Sequence, residues 1–218
     1  MRYPLIAFDL DGTLVDSLRD LAESANALLA QSGAAPLDDM SIGRMVGDGA
    51  ATLVRRAFAA AGITPPDNAL ERFLAIYNGR LLKCTRAYPD VPDLLAQLAA
   101  RRIPIAVLTN KPLAATRHIL AGLALARFFP ADCVLGGDGP QARKPDPAGL
   151  AALAKMHDAA VADVLLVGDS IVDWRTARAA GAHICMARYG FGFHDFPVAE
   201  LEARDTTIGH PLELLTVL

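Results

Sequence analysis

Leu5-Ile6-Ala7-Phe8-Asp9-Leu10-Asp11-Gly12-Thr13-Leu14-Val15 is an apolar run that ends in two carboxylates, and its reading decides what the rest of the chain can be. Leu5 to Phe8 are short, apolar and without polar alternation, as a strand buried on both faces should be. Residues i and i+2 of an extended segment point to the same side. Asp9 and Asp11 would therefore share one small volume unless the chain bends sharply there. Two like charges so placed need a reason, and a divalent cation supplies one. Mg2+ takes oxygen ligands in near-octahedral geometry and usually binds through one or two carboxylates plus phosphate oxygens. The pair thus suggests phosphoryl-transfer chemistry at the end of a buried strand.

Outward from this strand, residues 16 to about 86 read as helical. Leu18, Leu21, Ala22, Ala25, Leu28 and Leu29 follow the 3.6-residue period of one amphipathic helix. Ser17 with Asp20 three residues later resembles a capping box, and Gly33 supplies a left-handed stop. Further helices are expected at 39–45, 50–61 and 68–82, enough for a small bundle. From residue 87 helix and strand alternate, with helices at 91–101, 112–122, 147–157 and 171–180 and apolar strands at 103–108, 133–135, 164–167 and 183–186. Alternation implies parallel strands joined by crossover helices. The expected fold is α/β, a doubly wound, Rossmann-like parallel sheet built from 1–15 and 87–218, with 16–86 inserted as a helical cap. In such sheets ligands bind at the carboxyl ends of the strands.

Composition narrows the partners. The 218 residues are 53% hydrophobic and 21% charged, enough to bury a sizeable core, and the formal net charge of -3 comes with no polybasic block for nucleic acid. No apolar stretch reaches the roughly 20 residues needed to span a bilayer, and no signal-peptide pattern opens the chain. The expectation is a cytoplasmic protein acting on a small molecule, with no nucleic acid or membrane partner. Cys84, Cys133 and Cys185 are too widely spaced for a metal site and odd in number for a disulfide framework. The five histidines show no metal-ligand spacing and read as surface or packing residues. Trp174, Tyr189, Phe191 and Phe193 form an aromatic feature that could serve core packing, cap contact or a homodimer surface, packing being the default.

The residues just beyond each strand converge on one edge: Asp9 and Asp11, then Thr109 and Asn110, then Gly168-Asp169-Ser170 with Asp173 one helical turn later. Lys144, in Arg143-Lys144-Pro145-Asp146-Pro147, adds a positive charge on a proline-stiffened loop. Asp9 suits an in-line nucleophile forming a covalent phosphoryl intermediate. Asp11 can donate a proton to the leaving alkoxide and later take one from water, while its backbone carbonyl binds metal. Asp169 would complete a Mg2+ site with Asp9 and Asp11, and Asp173 would support it directly or through water. Thr109, Asn110 and Lys144 are the candidates to hold substrate, Thr109 and Lys144 at the phosphate oxygens.

These four motifs, in order and spanning nearly the whole chain, resemble those of the haloacid dehalogenase superfamily of phosphohydrolases. The resemblance implies the roles above, and a small helical cap inserted after the first motif, whose opening and closing gate the site. Within the superfamily, Met45-Val46-Gly47-Asp48-Gly49, Thr109-Asn110-Lys111-Pro112, Gly136-Gly137-Asp138 and Tyr189-Gly190 resemble the bacterial phosphoglycolate phosphatases. Glycines 47 and 49 would then form a cap loop whose backbone approaches substrate, and Arg44, Arg55 or Arg56 could read a substrate carboxylate. The expected activity is Mg2+-dependent hydrolysis of a small phosphomonoester, 2-phosphoglycolate first. The alternatives are a phosphotransferase such as a sugar-phosphate mutase, a phosphoryl-accepting signalling module, or a dehalogenase on the same fold.

Overall fold

The structure, a computed structural model, describes residues 3–194 and 196–218. Its centre is a six-stranded sheet formed by β1 (Ile6–Phe8), β4 (Ile105–Leu108), β5 (Val134–Leu135), β6 (Leu165–Gly168), β7 (His183–Ala187) and β8 (Thr206–Ile208). The strands lie in the order β5-β4-β1-β6-β7-β8, and every neighbouring pair is parallel. Strand order therefore reverses at β1, whose neighbours are the second and fourth sheet strands in the chain. A doubly wound sheet opens its binding crevice at such a switch point.

Alternation along β1 explains its uniformly apolar sequence. Ile6 and Phe8 enter one core together with Val107, Val167 and the buried faces of α5 (Val91–Ala100) and α6 (Leu113–Gly122). Leu5 and Ala7 enter a second core with Ala106, Leu166 and the helices α7 (Ala148–Met156) and α8 (Ile171–Ala180). Both faces of the sheet are covered, so neither tolerates a polar position.

Four helices, α1 (Leu18–Gln31), α2 (Asp39–Gly43), α3 (Ala50–Ala60) and α4 (Ala69–Asn78), lie between β1 and α5 in the chain. Leu21, Ala22, Ala25, Leu28 and Leu29 of α1 are buried, as the helical period predicts. Their apolar interior continues into the core on the Ile6 and Phe8 side of the sheet. Two short strands that the sequence reading missed bracket the helices: β2 (Val15–Asp16) pairs antiparallel with β3 (Arg86–Ala87). Strands of two residues are too short to show a period. Strand β8 was also missed; Thr206-Thr207-Ile208 carries too little apolar character to resemble the other sheet strands.

The capping box expected at Ser17 and Asp20 is not formed. Ser17 is the N-terminal cap of α1 by position, yet its side chain makes no capping bond. Its hydroxyl donates instead to Asp11 Oδ1 at 2.5 Å. Asp20 is fully buried and accepts from Cys84 N, Thr85 N and Thr85 Oγ1 at 2.7–3.1 Å. The carboxylate that a local motif would use on its own helix ties α1 to the returning strand β3. Gly33 does end the helix as expected, at φ 76°. At the other helix start the motif is present: Ser170 and Asp173 form a reciprocal capping box on α8.

Cys133 and Cys185 are buried and all three cysteines are free. No helix among the described residues is long and apolar enough to cross a membrane.

Candidate active site

Asp9 follows β1 directly, Thr109 and Asn110 follow β4, and Asp169 follows β6, so three adjacent strands deliver their next residues to one edge. The chain does bend there. The backbone N–H groups of Thr13, Leu14 and Val15 all donate to the Leu10 carbonyl, and Gly12 takes φ 88°. This turn sends the two carboxylates of the opening motif to different partners. Asp9 Oδ1 accepts from Lys144 Nζ at 2.7 Å, while both oxygens of Asp11 accept from Lys111 Nζ at 2.7 Å.

Asp9, Asp169 and Asp173 come together as a buried cluster whose ligand oxygens lie within 4.8 Å of one another. Asp11 is not part of that cluster, so any contribution it makes to a metal would come from its backbone carbonyl. Lys144 bridges Asp9 and Asp173, at 2.7 and 2.6 Å. The second oxygen of Asp173 accepts from the Ser170 backbone N and hydroxyl at 3.0 and 2.6 Å. Asp169 Oδ2 accepts from Gly192 N at 2.7 Å.

Glycines make room for these acids. A Cβ on Gly12 or Gly190 would collide with the Asp169 side chain, and one on Gly168 would collide with Asp173.

Three buried carboxylates face one ammonium, and the electrostatics show the imbalance. Burial, reinforced by Asp173 and Asp11 against the opposing pull of Lys144, pushes the Asp9 carboxyl up to about 7. Burial and the nearby Asp173 and Asp9 also hold Asp169 well above the usual carboxylate range. Burial alone would lower Lys144, but Asp173 and Asp9 outweigh it and hold the ammonium above the ordinary lysine value. A compact set of hard oxygen donors with excess negative charge fits a divalent cation such as Mg2+.

Above this floor is a cavity of about 60 Å³. Its core side is lined by Asp9, Asp11, Thr109, Asn110, Lys111 and Asp169, and its other side by helical-insert residues including Leu21, Val46, Leu53, Phe73 and Tyr77. Gly47 and Gly49 also line it, at φ 118° and 87°, and Gly49 opens α3.

Asn110 lines the cavity, yet its Nδ2 hydrogens are taken by the carbonyls of Gly47 and Lys144, both at 2.8 Å. It therefore links the insert loop to the lysine loop. Arg44, Arg55 and Arg56, any one of which could have read a substrate carboxylate, do not line this cavity. Arg56 instead pairs with Asp48 at 2.7 Å and donates to the Met45 carbonyl, bracing the loop that carries Gly47. Of the aromatic group, Phe191 lines the cavity, Tyr189 donates to the Thr13 carbonyl at 3.0 Å, and Trp174 and Phe193 pack on Phe196.

Sequence reasoning assigned no role at the site to Lys111 or Tyr77, and read Ser17 only as a helix cap. Lys111 is buried against Asp11, with its ammonium 4.8 Å from the centre of the Tyr77 ring, which comes from α4. Burial pushes the Tyr77 phenol up to about 12, so it presents a neutral aromatic face. A signal for Lys111 was available. It stands two residues after Thr109, on the same side of an extended segment, and precedes Pro112, which disfavours helix at Lys111.

The family model for haloacid dehalogenase-like hydrolases matches residues 6–187, which include the acid cluster, Asp11, Thr109, Asn110, Lys111, Lys144 and the helical insert. The chain belongs to the haloacid dehalogenase-like hydrolase family. Among curated members of this family, it is 45% identical to the phosphoglycolate phosphatase of Rhodospirillum rubrum over 206 residues, covering 91% of this chain and 84% of that protein. It is 37% identical to phosphoglycolate phosphatase 1 of Pseudomonas aeruginosa, covering 97% of this chain and 78% of the relative. Among solved structures, the crystal structure of a predicted phosphoglycolate phosphatase from Haemophilus somnus superposes with a TM-score of 0.90 at 29% identity, covering 100% of this chain and 98% of that one.

Proposed function

We propose that this hydrolase is a Mg2+-dependent phosphatase that cleaves a small phosphomonoester, 2-phosphoglycolate, through an aspartyl-phosphate at Asp9. One observation carries the reading: a buried carboxylate at the carboxyl end of the central strand, paired with Lys144 and set beside Asp169 and Asp173, on the floor of a small cavity under the helical insert. The names of the relatives supply the substrate, and the size of the cavity suits an ester with a short alcohol half.

An Asp9 carboxylate oxygen attacks phosphorus, the bond from phosphorus to the ester oxygen breaks, and the departing alkoxide takes a proton from Asp11. Water then attacks the phosphorus of the aspartyl-phosphate and gives a proton back to Asp11. Inorganic phosphate leaves and Asp9 is regenerated. Lys144 and the Thr109 hydroxyl stabilise charge on the phosphoryl oxygens. Asp9, Asp169 and the Asp11 carbonyl would hold the Mg2+, which when bound neutralises charge between nucleophile and phosphate. Asp173, both of whose oxygens are already engaged, supports Lys144 and the start of α8.

The helical segment 16–86 acts as the lid that closes the cavity, and Asn110 with Gly47 is its latch to the core. Water exclusion matters because a site open to bulk solvent weakens every charge interaction inside it.

The test is phosphate release from a panel of phosphomonoesters including 2-phosphoglycolate, with and without Mg2+, beside Asp9→Asn. Release should need both the metal and Asp9, and 2-phosphoglycolate should lead the panel in kcat/KM. A different leading ester keeps the mechanism and removes the substrate. Transfer to a second hydroxyl without phosphate release assigns a phosphotransferase.

A further inference from the structure

Resting on the phosphatase reading above, we propose that Lys111 recognises a carboxylate on the alcohol half of the substrate, and that it does so by exchanging Asp11 for that carboxylate. Specificity and catalysis are then coupled through one ion pair.

Lys111 is the cationic side chain among the described residues that line the cavity. The insert wall opposite it is apolar, formed by Leu53, Phe73 and Leu74, so a carboxylate entering there meets no other positive side chain. Burying an anion without a partner is prohibitively costly, whereas pairing it with a lysine already out of water avoids most of that cost. Arg143, whose Nη1 approaches the cavity-lining Gly49, is not itself a lining residue and is anchored through its Nε to the Gly137 carbonyl at 2.5 Å. The first turn of α3, opened by Gly49 and Ala50, borders the same space and adds the favourable end of a helix dipole.

In the structure the Lys111 ammonium is committed to Asp11. It donates to both oxygens at 2.7 Å, and Ser17 holds one of them from the other side. A carboxylate that accepts from an ammonium on both oxygens carries no proton to give; until Lys111 lets go, Asp11 can neither take one up from water nor turn it toward a leaving oxygen. A substrate carboxylate competes for the same ammonium with the same geometry. Once it takes Lys111, Asp11 keeps only its bond to Ser17 and can turn to the ester oxygen. Tyr77, under the ammonium, gives Lys111 a surface on which to swing between the two carboxylates without leaving the closed site. An ester of similar length without a carboxylate has nothing to offer Lys111, so Asp11 stays tethered. It should bind less well and, once bound, also turn over more slowly.

The experiment compares 2-phosphoglycolate with ethyl phosphate, which replaces the carboxylate by a methyl group, in the wild type, Lys111→Met and Lys111→Arg, all with Mg2+. Wild type should favour 2-phosphoglycolate by about 100-fold in kcat/KM, with part of the ratio in kcat, as expected for a desolvated charge pair. In Lys111→Met the ratio should fall to a few-fold, and Lys111→Arg should recover part of it. A folded Lys111→Met that keeps the wild-type ratio overturns the proposal, as does a wild type that hydrolyses both esters equally well. Those two results leave the phosphatase reading standing. Hydrolysis of neither ester by wild type removes that reading and this one with it. A second measurement does not depend on the Lys111 variants folding. In a crystal structure of Asp9→Asn with 2-phosphoglycolate bound, the Lys111 ammonium should contact the substrate carboxylate, with Asp11 released. A Lys111 still paired to Asp11 refutes the exchange.

Discussion

Replacing Asp20 by alanine is expected to cost about 4 kcal/mol of folding stability, although Asp20 touches nothing in the active site. Its carboxylate is fully buried and accepts from three donors on the returning segment: Cys84 N, Thr85 N and Thr85 Oγ1. A buried donor deprived of its acceptor costs about 1–3 kcal/mol. Thr85 is itself fully buried, so both of its donors pay in full, whereas the partly exposed Cys84 N–H can recruit water. Two orphaned donors near the middle of that range give about 4 kcal/mol. Urea unfolding followed by circular dichroism measures this directly. With a slope of about 2–3 kcal/mol per molar, the midpoint should fall by about 1.5 M. Thr85→Val, which removes only the hydroxyl, should cost about 1 kcal/mol. The local alternative makes a different prediction: a capping-box partner at this position is worth about 1 kcal/mol. An Asp20→Ala loss of that size or smaller would refute the role of Asp20 as the tie between α1 and the β2–β3 crossing.

Two further outcomes follow from the acid cluster. Because burial raises the Asp9 carboxyl to about 7, the folded metal-free protein holds a proton that the unfolded chain has released between about 4 and 7. Its stability should therefore fall as pH rises through that window. Melting curves of the metal-free protein should show this fall, reduced in Asp9→Asn, and Mg2+ should stabilise wild type more at pH 7.5 than at pH 5; parallel curves for the two proteins would contradict the assignment. Gly12→Ala places a Cβ against the Asp169 carboxylate at a left-handed φ, and should lower Mg2+ affinity about 10–100-fold, read by calorimetry. Gly33→Ala, also left-handed but with open space around it, should cost only about 1 kcal/mol of stability and leave Mg2+ affinity unchanged.

Much of the architecture was legible in the chain because it rests on periodic burial. The apolar strands that become β1, β4, β6 and β7 are continuous runs buried on both faces, the stripe of α1 repeats every 3.6 residues, and such patterns survive whatever packs against them. Asp9, Thr109, Lys144 and Asp169 were legible for a related reason. Each directly follows a strand or sits on a proline-stiffened loop, so the sheet's parallel topology carries them to one edge. What could not be read was the choice among partners. Ser17 and Asp20 satisfy a local capping motif, but in the folded chain Ser17 turns back to Asp11 across the turn and Asp20 finds its donors more than 60 residues away. Arg44, Arg55 and Arg56 have the right charge for a carboxylate, but none of them lines the cavity.

By itself the sequence determined five of the six sheet strands, the inserted helices and the groups that meet at the strand ends, because apolar runs, helical period and strand-end placement need only short-range information. The tertiary structure alone decided which acid pairs with which lysine. Asp9 goes to Lys144 and Asp11 to Lys111, across separations of 135 and 100 residues. A pairing of that kind depends on where the turn at Gly12 aims each carboxylate, and on which ammonium is buried beside it once the insert has closed over the edge.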